Sequence, residues 1–201
     1  MRRAAILLAL ATPGVVGAQQ APFLRAIGLP DIAPVAALEG YRERYRIFVR
    51  PSFDQRHIVS IDRDRSGRTT LELVVLSDRQ ADYARNPVLL RERHRVPQRE
   101  QKAFAAVLRA AQLDARTRDH SGLTDEFGRP LPPSPIPPAP DPLDGTSVTI
   151  EHRTAAGYAI VMRHEYRLDP ALRALVEKTL ALTGRRFDRS MGYALRPRVG
   201  D

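Results

Sequence analysis

The chain is 201 residues long, contains no cysteine and carries a formal charge of +9. Without cysteine it has no disulfide framework, no thiol nucleophile and no thiolate metal site, so its core alone must hold the fold. Lysine occurs only at 102 and 178 and every other cation is arginine, a compositional bias that by itself assigns no nucleic-acid partner.

Residues 1–18 read as a secretory signal peptide. Arg2 and Arg3 precede an apolar run over 4–11, and Val16-Gly17-Ala18 form a small-residue cleavage site before Gln19. Pro13-Gly14 breaks the apolar run well short of the roughly 20 residues a membrane span requires. The expected mature protein is therefore periplasmic or secreted and not transmembrane after cleavage. Residues 19–40 form an N-terminal arm interrupted by Pro22, Pro30 and Pro34, with one short helical turn in 33–39 capped by Asp31.

A single domain is expected over 41–184. Residues 41–50 alternate, with Tyr41, Tyr45, Ile47 and Val49 pointing one way and Arg42, Arg44, Arg46, Phe48 and Arg50 the other. A second strand over 56–63 carries His57, Val59 and Ile61. The polar tip Asp64-Arg65-Ser66-Gly67 returns the chain into 68–77, apolar on both faces at Leu71, Leu73, Val74 and Val75. After a polar loop, residues 88–95 make a fourth strand with Arg91, Arg93 and Arg95 on one face. Pro97 opens a helix to about residue 113, with Phe104, Val107, Leu108 and Ala111 as its apolar stripe.

The next 30 residues are the least regular, and 128–143 form a proline-rich connector suited to polyproline II. A hairpin follows. An odd loop at Ala155-Ala156-Gly157, with Gly157 left-handed, would pair Thr154 with Tyr158, His152 with Ile160, Ile150 with Met162 and Val148 with His164. Asp169 then caps a helix begun by Pro170 and ended before Gly184, with Leu172, Leu175, Val176 and Leu180 as its stripe. Residues 185–201 are a tail that docks through Phe187, Met191, Tyr193 and Leu195. The fold class is thus α+β: a largely antiparallel sheet of about six strands, in the order β-β-β-β-α-β-β-α, with two helices packed on one face.

Candidate chemistry is sparse. No G-x-S-x-G elbow, phosphate loop or dinucleotide glycine pattern occurs. Asp119-His120-Ser121 holds triad residue types, but neighbours in sequence point apart and cannot form a relay. His152 and His164 share a face in the odd register yet lie about 13 Å apart, too far for one ion. Glu151 and Glu165 share the polar face with Arg163 between them, an arrangement of surface charges rather than an acid–base pair. No catalytic, cofactor-binding or metal residue is assigned. What remains is an arginine face, Arg42, Arg44, Arg46, Arg50, Arg91, Arg93 and Arg95, on the sheet side away from the helices. Its guanidinium forks could grip phosphate or carboxylate, or be merely solvated.

At Asp144-Gly145, Glu151, Gly157-Tyr158 and the Pro170 helix, the sequence resembles uncharacterised exported proteins of proteobacteria. Those have an Asp-Gly turn, a strand ending in Glu, a Tyr-bearing return strand and a closing amphipathic helix. The likeness covers the hairpin-helix third and departs at Val148, where an aromatic residue is common. It implies an envelope domain of unknown function and carries over no activity. The expected function is a non-enzymatic periplasmic binding or interaction domain whose partner is an envelope protein or an anionic envelope component. The alternative is an envelope hydrolase with a site assembled from loops.

Overall fold

The computed structural model describes residues 22–52, 54–77, 87–113 and 145–196; the expected signal peptide, the 128–143 connector and Asp119-His120-Ser121 lie outside them. The chain runs through α1 (Pro22–Ala26), a 3-10 turn (Val35–Leu38), β1 (Tyr41–Pro51), β2 (Arg56–Asp64), β3 (Thr69–Leu76), β4 (Val88–Arg95) and α2 (Gln98–Ala111). It continues through β5 (Thr146–Thr154), β6 (Tyr158–His164), α3 (Pro170–Ala181) and a small hairpin of β7 (Phe187–Asp188) and β8 (Ala194–Leu195). Strands β1 to β6 form one antiparallel sheet in the order β4-β3-β2-β1-β5-β6. The expected α+β architecture, with both helices on one face, is the one found.

The helix-covered face is apolar. Tyr45 and Ile47 of β1, Leu71 and Leu73 of β3, and Val148 and Ile150 of β5 meet Phe104 and Leu108 of α2 and Leu172, Leu175 and Val176 of α3. Burial of such side chains supplies most of the driving force for the fold. Tyr45 stacks edge-on against Phe104 at 5.1 Å, and its hydroxyl lies 3.1 Å from Thr179 Oγ1, so the one polar atom it brings inside has a partner. Asp169 Oδ1 accepts from the Ala171 and Leu172 amides at 3.0 and 3.1 Å, which fixes the start of α3. The end of α2 lies at Gln112, left-handed at φ 46° without glycine, a stop that no residue type announces.

The second face is also covered, which overturns the expectation of an open one. Leu24, Ile27 and Leu29 of the N-terminal arm pack on Phe48, Ile58, Val74 and Leu76, the residues that alternate with the first core. Within the arm, Asp31 caps no helix; its carboxylate accepts from the Ala33 amide at 2.9 Å as a local turn.

The hairpin register also differs from expectation by one residue. Thr154 and Gly157 exchange both main-chain hydrogen bonds, at 2.9 and 3.3 Å, around the two-residue loop Ala155-Ala156. Gly157 is not left-handed. Arg153 therefore opposes Tyr158, His152 opposes Ala159, Ile150 opposes Val161 and Val148 opposes Arg163. Ala159 and Val161 face the helices and Ile160 faces the other way, yet all three are buried. Burial selects a register only where one face is wet; here both faces are covered, so either set of apolar residues could point inward.

Candidate functional site

Six of the seven predicted arginines, Arg44, Arg46, Arg50, Arg91, Arg93 and Arg95, do share the sheet side away from the helices, by their register. Arg93 and Arg95 stand exposed at the β4 edge with no ion pair among the described residues, but Arg44, Arg46 and Arg91 do not stand on that side freely. Arg46 is 1% exposed; its Nε donates to Ser60 Oγ at 3.3 Å, Nη1 to Glu151 Oε2 at 3.5 Å and Nη2 to the Pro30 carbonyl at 2.6 Å. Glu151, equally buried, also accepts from the Tyr158 hydroxyl at 2.5 Å. Arg44 grips Asp62 with two bonds of 2.9 and 2.7 Å and reaches the Ala37 carbonyl at 3.4 Å. Burial opposes the Arg44 charge, but the Asp62 hydrogen bonds and carboxylate outweigh it and raise its pKa.

Two further arginines complete this pattern. Arg91 donates to the Ile27 carbonyl and lies 3.7 Å from Glu72. Arg153, which sequence reasoning missed, donates from Nε to the Ile32 carbonyl at 3.3 Å. Burial lowers the Arg153 pKa, with Tyr158 and Asp31 partly offsetting it. Four arginines, 44, 46, 91 and 153, thus each hold one carbonyl of the arm. Arm carbonyls not engaged in regular structure need donors when buried, and the sheet supplies them as guanidinium groups. Arg50 donates to Ser147 Oγ at 3.1 Å at the exposed end of the row.

The hairpin candidates separate. His152 lies on the helix side and His164 on the arm side, so they do not share a face. Glu151 is buried on the arm side, Arg163 opposes Val148 on the helix side, and Glu165 belongs to a 3-10 turn, Glu165–Arg167. The expected Glu151-Arg163-Glu165 surface lattice does not form. Among the described residues one histidine, His57, is buried with neither ring nitrogen in a well-formed hydrogen bond; it lies between Val49 and Val75 in the sheet and 4.9 Å from the Phe187 ring. Burial pushes its pKa down to about 4, the Gln55 main chain offsetting part of the shift.

A large concavity opens on the helix side, between α2 and the sheet ends that carry the β2–β3 tip. Its cavity volume is about 1420 Å³, above the roughly 300–1,000 Å³ of ordinary small-molecule pockets. Ile61, Val96, Phe104 and Leu108 line its floor. Around it stand five cations: Arg42, which sits in a bulge between Tyr41 and Glu43, then Arg63, Arg95, Lys102 and Arg109. None of the five makes an ion pair among the described residues. Arg63 Nε is shielded from solvent and has no acceptor. Among the described residues Glu43 is the one lining carboxylate, and it lies 3.9 Å from His152 Nε2. Sequence reasoning grouped Arg42 and Arg95 with the arginines of the other face, where Arg95 does point by register from the end of β4, and missed Arg63, Lys102 and Arg109, because five cations from four elements converge only in space.

Among the described residues no helix is long and apolar enough to cross a membrane, and no three His, Asp or Glu side chains gather as a metal site. A scan against protein-family models finds no match for this chain, and a search of curated proteins finds no significant match.

Proposed function

We propose that this chain is an exported, non-enzymatic binding domain of the bacterial envelope that takes an anionic ligand in the cleft between α2 and the sheet. The observation that carries this reading is the set of five cations without carboxylate partners around one mouth, with Arg63 Nε buried and lacking an acceptor. Like charges so gathered repel one another, and an anion relieves both that repulsion and the unmet donor. The arginines under the arm carry no such invitation, since each already holds an arm carbonyl and three of them also face a carboxylate.

Calorimetric titration with citrate and tripolyphosphate tests the reading. Binding should weaken with salt and be lost in an Arg63→Gln/Lys102→Gln variant. Unchanged binding in that variant would place the anion elsewhere.

A hydrolase is the second reading, favoured by His152 beside Glu43 on the cleft wall. The two separate on His152→Gln, which should abolish any ester hydrolysis and leave anion binding intact. Export is tested by the mass of protein recovered from the periplasm, which should begin at or near Gln19.

A further inference from the structure

We infer that the cleft ligand is an extended acidic peptide segment of a partner protein, with carboxylates spaced about three residues apart. This rests on the reading of the cleft as an anion site and adds the shape and spacing of the anion.

The spacing comes from α2. Lys102 and Arg109 both line the cleft and lie seven residues apart. Seven residues are close to two turns, so both side chains project from one side of the helix, about 10 Å apart along it. One phosphate or carboxylate cannot sit against both. A peptide in the polyproline II conformation has three residues per turn and advances about 3.1 Å per residue, so acidic side chains at positions i and i+3 project to one side about 9 Å apart and match that interval. The facing wall supplies Arg63, and Arg95 adds a further cation at the rim from the end of β4. Each acidic group can therefore find a cation on either side.

The concave shape separates a peptide from a membrane surface. Cations on opposite walls of a cleft are reached by a chain laid between them, not by a flat sheet of headgroups. The floor of Ile61, Phe104 and Leu108 suits the apolar side chains between the two acids. Exposed Gln98 and Gln112, at the two ends of α2, present amides that can pair with main-chain groups. Recognition of acidic segments by clustered cations is a common binding mode.

The test compares two isomeric peptides by calorimetry at low and physiological salt. Acetyl-Asp-Leu-Val-Asp-amide has the proposed spacing; acetyl-Asp-Asp-Leu-Val-amide has adjacent acids. The spaced peptide should bind at least tenfold more tightly. Lys102→Glu and Arg109→Glu should each weaken it at least tenfold with no change in melting temperature, because both side chains are exposed and have no described partner. Ala105→Trp, which fills the cleft wall, should do the same without altering charge. If both peptides bind equally, or a disaccharide bisphosphate binds tenfold more tightly than either, the peptide inference falls and the anion site stands. If no probe binds, or the two charge reversals bind like the parent protein, the anion site falls as well.

Discussion

Two groups of arginines on this molecule look alike in sequence and differ in what surrounds them. Under the N-terminal arm, Arg44, Arg46, Arg91 and Arg153 spend their donors on carboxylates and on four arm carbonyls. Around the cleft, Arg42, Arg63, Arg95 and Arg109 have no carboxylate within ion-pair reach among the described residues. The first group is a fastening; its cost of burial is offset inside the chain. The second leaves charge and one buried donor unanswered, which is why it marks a site. A guanidinium row acquires a functional meaning only once its partners are counted.

The largest effect that can break this comparison is on the fastened side. Glu151→Ala should leave Arg46 buried without its carboxylate and cost about 3–5 kcal/mol, read by urea unfolding. A change below about 1 kcal/mol would mean that Arg46 is not confined as described. Lys102→Ala, on the cleft side, should stay within about 0.5 kcal/mol of the parent.

His57 sharpens the contrast by showing a buried polar group without a well-formed hydrogen bond and with no cleft to serve. Folded His57 takes up its proton only as pH falls to about 4, whereas the unfolded chain does so near 6.5. The unfolded state therefore binds more protons across that window. The His57 contribution is complete above pH 6.5 and is lost progressively as pH falls toward 4, for a total of about 3 kcal/mol. His57→Leu should flatten the stability profile between those values; an equally steep profile in the variant would place the acid sensitivity elsewhere.

A smaller effect tests the helix that covers the first face. Asp169→Ala removes the acceptor of two amide bonds and should cost about 1 kcal/mol without altering anion binding. Loss of binding in that variant would tie the cleft to α3 more closely than the geometry does.

The fold was readable where period and caps spoke together. The strand alternation in Tyr45-Arg46-Ile47 and Asp169-Pro170 ahead of Leu172 each pointed to the element that forms. The register of β6 was not readable, because Ile160 and Val161 are both apolar and both faces are covered. The arm was read as peripheral because Leu24, Ile27, Leu29 and Ile32 are spread among prolines and show no period, yet all four are buried. Arg46 and Glu151 alternate with apolar residues as a solvated face would, and only the arm above them turns that pattern into a buried pair. The cleft left no local trace, since Arg63 and Arg109 are brought together by topology and not by spacing.

The most direct measurement follows the arginine Nε–H signals in a nitrogen-15 NMR titration with acetyl-Asp-Leu-Val-Asp-amide. The account predicts that Arg63 shifts most, with Arg42, Arg95 and Arg109 following, while Arg44 and Arg46 stay in place as protected internal controls. Shifts at Arg44 and Arg46 with none at Arg63 would contradict it, for the anion would then be bound by the arginines under the arm.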